Sequence, residues 1–242
     1  MIISAFVTTR NGEGAGGRFP GKGLASLCGR PLSYWIFKKC AETPGLDSFV
    51  ACIPDTPQSK PIGDLCTRMG GLVAKGPLED LLTRWERAIE LTNPDWVLGL
   101  SGDSPFVDQA LLNNSVKTIR ETKPTTISFG YDISESDVEG TGVSCHRPIR
   151  YKLLRKWYEE GNFEPEMLSH AQHLARGHEA ELTTCVLPRP DWFYIPKTET
   201  PMKLSIDLPL ELAVANKICA YLGHFPKSSE EVYLASKHIF SL

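Results

Sequence analysis

The first hundred residues alternate between short apolar runs and longer segments with helical periodicity. Apolar runs rich in β-branched residues occupy positions 2–8, 49–53 and 96–100, and each is too short to be a helix. Between them, residues 32–40 and the segment from Glu79 onward place apolar side chains at every third or fourth position. Strands that alternate with helices form parallel βαβ units. The sequence therefore predicts an α/β protein with a mostly parallel sheet.

Length and charge restrict the domain organisation and the partners. A chain of 242 residues with 41% hydrophobic residues can bury a sizeable core within one domain. We found no repeat or linker that would divide it, so we expect a single domain over residues 1–242. Residues 125–192 depart from the alternating pattern and form an excursion within that domain. The formal net charge of −3 argues against nucleic acid as a partner, because phosphate backbones attract an excess of Lys and Arg.

The cysteines and the N-terminal residues bear on location. The seven cysteines are scattered and never spaced as Cys-x-x-Cys, a pattern typical of reduced thiols rather than of disulfides or a zinc site. No apolar run is long enough to cross a bilayer, and the short run at the N-terminus has no basic residues before it. We therefore expect a cytoplasmic protein without a membrane partner.

Three loops are predicted to meet at the carboxyl edge of the sheet, where open α/β folds bind ligands. Residues 9–23 combine glycines with cationic side chains. Asp103 follows the apolar strand 96–100, and Asp207 follows a predicted short strand at 203–206. Cations beside a glycine loop suit phosphates, and two converging carboxylates suit a hard divalent ion that bridges phosphate oxygens. This combination indicates a nucleoside triphosphate.

The glycine loop also contains Gly12-x-Gly14-x-x-Gly17, which matches the dinucleotide-binding fingerprint. That fingerprint must open a helix whose N-terminus receives the pyrophosphate. Pro20 and Gly21 follow instead and prevent a regular helix. The acidic residue expected about twenty positions further on is also absent. The match therefore does not predict NAD or FAD binding.

Four segments, in the same order along the chain, resemble the cytidylyltransferases, a superfamily that includes the CMP-Kdo synthetases and the acylneuraminate cytidylyltransferases. The likeness is greatest to the spore-coat polysaccharide proteins of the SpsF type. The segments are 18–24 (RFPGKGL) with 29–32 (GRPL), 78–85 (LEDLLTRW), 100–105 (LSGDSP) and 203–212 (KLSIDLPLEL). Any one of them is a weak signal, but together they cover nearly the whole chain.

The resemblance implies a single-domain, Rossmann-like nucleotidyltransferase fold with a mixed, mostly parallel sheet flanked by helices. It implies an enzyme that transfers CMP from CTP to a sugar, a sugar acid or a related phosphate acceptor and releases pyrophosphate, in surface-glycan or related biosynthesis. The partners would be CTP and a small sugar-like acceptor. The excursion 125–192 would form the acceptor pocket and the interface of a homodimer.

The resemblance also implies roles for five residues. Arg10, Arg18 and Lys22 would bind the nucleotide, and Arg18 and Lys22 would also be catalytic. Asp103 and Asp207 would hold the cofactor, Mg²⁺. The loop between Arg10 and Arg18 is longer than is usual in that family, and the serine usually found there is missing.

Some of these residues also have an ordinary structural interpretation. Asp103 and Asp207 each precede a predicted helix, where aspartate is a common N-cap. Glu79 and Asp80 are expected to be acidic residues of a first helical turn. Arg84 is expected to be structural.

Two other functions remain compatible with an α/β chain of this kind. One is a glycosyltransferase of similar architecture, which usually holds its metal in an Asp-x-Asp motif that this sequence lacks. The other is a non-catalytic nucleotide-binding protein, which would have no need to keep Lys22, Asp103 and Asp207 together.

Overall fold

A five-stranded sheet lies at the centre of the fold. The computed structural model describes residues 1–12, 18–123, 148–161 and 205–240, together with the backbone of 138–139, 144–146 and 202–203. The strands are β1 (Ile3–Thr8), β2 (Ser26–Leu27), β3 (Arg30–Pro31), β4 (Ser48–Pro54), β5 (Leu72–Gly76), β6 (Trp96–Ser101), β7 (Val138–Glu139), β8 (Ser144–His146) and β9 (Met202–Lys203).

The central sheet has the order β5-β4-β1-β6-β8. Its first four strands are parallel, with Val7 of β1 beside Ala51 of β4 and Leu100 of β6. Of the described strands in this sheet, β8 alone runs antiparallel, with Cys145 beside Leu98. Two short pairs complete the described strands: the antiparallel hairpin β2–β3 and the parallel pair β7–β9. The sheet is mixed and mostly parallel, which confirms the predicted architecture.

Helices cover both faces of this sheet. The helices are α1 (Leu32–Ala41), α2 (Lys60–Arg68), α3 (Leu81–Thr92), α4 (Gln109–Thr122), α5 (Ile149–Glu159), α6 (Pro209–Leu222) and α7 (Ser229–Phe240), and residues Lys22–Leu24 form one turn of 3₁₀ helix. Along β1, Ala5 and Val7 point into the cluster with α1, α2 and α4, whereas Phe6 points into the cluster with α3 and α5. A strand buried on both faces is a nearly continuous apolar run, which is why β1 is recognisable in the sequence although it contains Ser4.

A third apolar cluster lies beside the sheet and joins the hairpin β2–β3 to the last two helices. Leu27 of the hairpin packs with Ile218 of α6 and Val232 of α7. Ile206, which directly precedes Asp207, belongs to the same cluster and is fully buried. This packing holds the C-terminal part of the chain against the loop that follows β1.

The predicted strand before Asp207 and the excursion 125–192 differ in how far the structure tests them. The predicted strand at 203–206 is wrong in extent: among the described residues of this stretch, Met202–Lys203 is a strand, whereas Ser205 and Ile206 lie in a loop. The excursion 125–192 falls largely outside the described residues. Within it, the structure describes only 138–139, 144–146 and 148–161. Among the helices of the described residues, none combines the length and the apolarity needed to span a bilayer.

Candidate active site

The loop after β6 carries Asp103 to the end of β1. The backbone N–H of Gly102 donates to the carbonyl of Thr8 at 2.8 Å. A Cβ at position 102 would lie 2.4 Å from the Cβ of Thr9, so only glycine allows this approach. The carbonyl of Asp103 in turn accepts from the N–H of Ile206 at 2.8 Å. These bonds hold the segments containing Asp103 and Asp207 next to each other.

Lys22 begins the 3₁₀ turn that ends the glycine loop. Gly21 has a φ of 77°, a conformation that favours glycine, and its N–H donates to the carbonyl of Asn11 at 2.8 Å. A Cβ on Gly23 would lie 2.5 Å from Cδ1 of Ile62, so the turn packs closely on α2. The structure thus confirms that no α-helix opens after the glycines, as Pro20 and Gly21 predicted.

The ammonium of Lys22 lies between the two aspartates. Its Nζ is 3.0 Å from Oδ2 of Asp103 and 3.1 Å from Oδ1 of Asp207. The exposed fractions of the three side chains are 16% for Lys22, 26% for Asp103 and 20% for Asp207, so the group is largely shielded from water. Nη2 of Arg18 lies 3.6 Å from Oδ2 of Asp207, and its side chain is 64% exposed. Four of the five predicted site residues therefore come together at the carboxyl edge of the sheet.

Neither of these aspartates caps a helix in the described structure. Asp108, rather than Asp103, is the N-cap of α4 and accepts from the N–H of Ala110 at 2.8 Å. The N-cap of α6 is Leu208. The helix-cap interpretation of Asp103 and Asp207 is therefore wrong, and both carboxylates are directed at a cation.

Glu211 holds Asp207 in place, a role that sequence reasoning missed. Its Oε2 accepts from the N–H of Leu208 at 2.9 Å and also from the N–H of Asp207. Because Glu211 stands in the first turn of α6, these bonds fix the loop before the helix. Pro209 at the start of the helix and an acidic residue two positions later are the signal that could have revealed this arrangement.

Arg10 forms no described ion pair with the two aspartates, but its charge acts on Arg84. Burial lowers the pKa of the Arg84 guanidinium, and the positive charge of Arg10 lowers it further. Arg84 is only 3% exposed and donates to the carbonyls of Cys52 and Leu78 at 3.5 and 3.3 Å. Its burial and these bonds agree with the structural role predicted for it. The prediction that Glu79 and Asp80 belong to the first helical turn is wrong, because α3 begins at Leu81 and Asp80 is its N-cap.

The residues present fit a hard divalent cation. Two carboxylate oxygens already converge on one positively charged atom, the Nζ of Lys22. The described residues contain no group of three or more His, Cys, Asp and Glu side chains that could hold a metal by themselves. A magnesium ion here would therefore complete its shell with phosphate oxygens and water, as it usually does at nucleotide sites.

Comparison with known proteins identifies the family. The family model described as cytidylyltransferase matches residues 15–239, almost the whole chain. The chain belongs to the cytidylyltransferase family. This result confirms the resemblance carried by the four sequence motifs.

Two curated cytidylyltransferases illustrate the relationship at the sequence level. The 8-amino-3,8-dideoxy-manno-octulosonate cytidylyltransferase of Shewanella amazonensis is 28% identical over 148 residues, which are 56% of this chain and 55% of the relative. The 3-deoxy-manno-octulosonate cytidylyltransferase of Acaryochloris marina is 31% identical over 139 residues, 54% of this chain and 55% of the relative. The chain thus spans about half the length of these relatives.

Two solved structures share the fold. A cytidylyltransferase from Leptospira borgpetersenii superposes with a TM-score of 0.81 at 14% identity, covering 99% of this chain and 95% of the other. CMP:2-keto-3-deoxy-manno-octonic acid synthetase in complex with CTP gives a TM-score of 0.61 at 14% identity, covering 91% and 99%. These likenesses confirm the predicted Rossmann-like nucleotidyltransferase fold.

Proposed function

We propose that this cytidylyltransferase transfers CMP from CTP to a sugar acid or a related sugar-like acceptor and releases pyrophosphate, in the biosynthesis of a surface glycan. The observation that carries the proposal is the convergence of Asp103 and Asp207 on a single cation, with Arg18 beside them. Two carboxylates and two movable cations at the carboxyl edge of the sheet are suited to a metal-bound triphosphate.

Each residue has a task in this reaction. Arg18 and Lys22 bind the triphosphate and offset the charge that develops on it, and Arg10 approaches the nucleotide from the end of β1. Asp103 and Asp207 hold magnesium, which when bound polarises the phosphate oxygens. A hydroxyl oxygen of the acceptor attacks the α-phosphorus and forms the new P–O bond. The bond between the α-phosphorus and the oxygen that bridges it to the β-phosphate breaks, and pyrophosphate leaves with that oxygen. The hydroxyl proton of the acceptor passes to solvent.

The names of the relatives suggest which acceptors to try first. The relatives described above are named for 3-deoxy-manno-octulosonate and for its 8-amino-3,8-dideoxy analogue. Both are sugar acids, in which a carboxylate lies next to the anomeric carbon. We therefore propose a sugar acid of this class as the acceptor.

The test is pyrophosphate release with each of the four nucleoside triphosphates and a panel of acceptors. The panel contains the two octulosonates, an acylneuraminate, a sugar phosphate and a non-sugar phosphate. We expect release with CTP and a sugar acid in the presence of Mg²⁺. Release with another triphosphate only, or CTP binding without turnover on any acceptor, would contradict the proposal.

We further propose that the protein is a cytoplasmic homodimer whose interface lies within residues 125–192. That segment carries apolar strand-like runs and aromatic residues outside the alternating pattern. Sedimentation velocity at micromolar concentration should give the mass of a dimer. A monomer under those conditions would disprove this part of the proposal.

A further inference from the structure

The ammonium of Lys22 occupies the position at which a divalent ion would be bound. It touches one oxygen of each aspartate, at 3.0 and 3.1 Å, and its side chain is largely shielded from solvent. Arg18 contacts the other oxygen of Asp207 at 3.6 Å from the solvent side. In this arrangement the charges of the two carboxylates are already compensated by the chain itself.

A metal ion and this ammonium exclude each other. Magnesium binds carboxylate oxygens at about 2.0–2.1 Å. An ion bound to Asp103 and Asp207 would therefore lie within a few ångströms of Lys22 as it stands, and two positive charges at that distance repel strongly in a partly buried site. For the metal to bind between the aspartates, the ammonium must leave.

The structure allows the side chain to move while the backbone stays. The N–H of Lys22 donates to the carbonyl of Phe19 at 3.2 Å, and its own carbonyl accepts from Ala25 at 3.1 Å. The preceding Gly21 is bonded to Asn11. A lysine carries its compact charge on a flexible four-carbon stem, so the ammonium can reach a new partner by rotation about side-chain bonds alone.

We infer that Lys22 is a built-in counter-ion that blocks the metal position until a triphosphate draws its ammonium away. This inference rests on the proposed function, since the triphosphate is the CTP of that reaction. Without nucleotide, a divalent ion must displace the ammonium of Lys22, and the displaced ammonium then has no phosphate to pair with. Without metal, a triphosphate that attracts Lys22 leaves two uncompensated carboxylates facing its own negative charge. Each ligand therefore strengthens the binding of the other, and this coupling is reciprocal.

The test measures Mn²⁺ binding in the absence of any nucleotide, by the electron paramagnetic resonance signal of the free ion. Wild type is compared with Lys22→Met, which removes the ammonium and keeps an unbranched side chain. We expect Lys22→Met to bind Mn²⁺ about tenfold more tightly, or better, which lies within the usual range of such couplings. The double variant Lys22→Met/Asp103→Asn should lose that gain, because it lacks one of the two carboxylates.

Two control variants separate displacement from a general change in charge. Arg18→Met removes a charge beside the same Asp207 but does not vacate the position between the aspartates. Lys60→Met removes an exposed lysine that pairs with Asp64 on α2. Both should bind Mn²⁺ nearly as weakly as wild type. If Arg18→Met gains as much affinity as Lys22→Met, the effect is general electrostatics and the inference is wrong.

The Mn²⁺ affinities of the Lys22 variants can also overturn the inference. Equal Mn²⁺ affinity in wild type and Lys22→Met overturns the inference, and so does a gain that persists in the double variant. Thermal unfolding shows whether Lys22→Met is folded, and Lys22→Gln replaces it if it is not. In the wild type, CTP should increase the affinity for Mn²⁺. In Lys22→Met, CTP should increase that affinity by a smaller factor. None of these measurements needs an acceptor or turnover, so a protein that binds Mn²⁺ as expected but releases no pyrophosphate disproves the proposed function alone.

Discussion

At the scale of single residues, Asp103 and Asp207 share one cationic partner and should respond alike to substitution. Asn keeps the volume of either side chain and removes its charge. Since Lys22 retains the other carboxylate in each single variant, we expect Asp103→Asn and Asp207→Asn to unfold at nearly the wild-type temperature. If the two aspartates hold magnesium as proposed, pyrophosphate release should fall about 100-fold or more, because each variant would lose the metal and the charge stabilisation that it would supply.

Asp108 provides the matched control for this prediction. It stands five positions after Asp103 but caps α4, and its Oδ2 also accepts from the N–H of Ser229 at 3.0 Å. Asn can still cap α4 through its amide oxygen, but its amide NH2 group cannot accept the bond from Ser229. Asp108→Asn should therefore lower the free energy of unfolding by about 1–3 kcal/mol and leave turnover of the folded protein largely intact. EDTA should abolish wild-type activity and Mg²⁺ should restore it. Wild-type turnover in both Asp103→Asn and Asp207→Asn, or activity that survives EDTA, would contradict the two-carboxylate mechanism.

Lys39 is a second residue with a measurable consequence. It lies on α1 with only 7% of its surface exposed, and its Nζ is 5.6 Å from the centre of the Phe225 ring. Burial lowers its pKa to about 8, although Asp108 and Glu42 oppose the shift. A lysine whose pKa is lowered by folding is protonated more readily in the unfolded chain. Between pH 8 and the ordinary lysine pKa of 10.5, the unfolded state therefore binds more protons, and stability rises with pH.

Replacing Lys39 should remove both effects. Lys39→Met keeps most of the packing and eliminates the buried charge, so we expect the free energy of unfolding at pH 7 to increase by about 1–3 kcal/mol. Urea unfolding of wild type should show rising stability from pH 8 to pH 10, and Lys39→Met should lack that rise. If Lys39→Met were less stable than wild type at pH 7 and had the same pH profile, the prediction would be wrong. The folded protein would then stabilise the charged form of Lys39.

At the scale of secondary structure, the strands that were predictable are those buried on both faces. β1, β4 and β6 are continuous apolar runs because helices cover both sides of the sheet. β5 was missed because it lies at the edge of the sheet, where Lys75 is exposed and cuts short an apolar run of only three residues. α2 was missed because Gly63 lowers its helix propensity. That glycine is closely packed, since a Cβ there would lie 3.0 Å from Cδ1 of Ile53 and would require that side chain to shift.

The site was predictable in its residue types but not in its pairing. Asp103 and Asp207 could be placed at one edge of the sheet because each follows a strand or a short extended run. Lys22 is 81 residues from Asp103 and 185 from Asp207, and a sequence does not state which of several nearby cations lies between two carboxylates. The cap at Asp108 and the bonds from Glu211 depend on exact helix ends, which sequence patterns locate only to within a few residues.

Arg155 on α5 joins that helix to α3. Its guanidinium binds both carboxylate oxygens of Glu86, at 3.0 and 2.9 Å, and donates to Thr83 at 2.8 Å. Glu86 raises the pKa of Arg155 by hydrogen bonding, a sign that the charged form is well accommodated. Arg155→Ala leaves these partners unsatisfied in a partly buried place, so we expect a loss of about 1–3 kcal/mol in the free energy of unfolding.

The neighbouring lysine is the control. Lys156 pairs with Glu160 across one turn of the same helix and is mostly exposed. Lys156→Ala should therefore change the free energy of unfolding by less than about 0.5 kcal/mol. Urea unfolding of both variants makes the comparison. Equal effects at the two positions would mean that the link between α5 and α3 contributes no more than an ordinary surface pair.

At the scale of the whole molecule, the site joins parts of the chain that are far apart in sequence. Lys22 follows β1, Asp103 follows β6, and Asp207 precedes α6, which packs in the third apolar cluster. A ligand that binds all three segments binds only the folded state and therefore stabilises the whole protein.

Thermal unfolding should reveal both the nucleotide preference and the coupling between nucleotide and metal. At about 100 times the dissociation constant, a ligand adds about 2.7 kcal/mol, which for a protein of this size raises Tm by about 5–10 °C. We expect CTP with Mg²⁺ to produce a shift of this order, and ATP, GTP or UTP with Mg²⁺ to produce less. Mg²⁺ alone should have almost no effect, because the ammonium of Lys22 lies between the two aspartates and, with Arg18, compensates their charge. CTP with EDTA should have a reduced effect. Asp207→Asn serves as the control and should lose most of the shift that depends on Mg²⁺. A larger shift with another triphosphate would disprove the preference for CTP, and a full shift with Mg²⁺ alone would disprove the coupling.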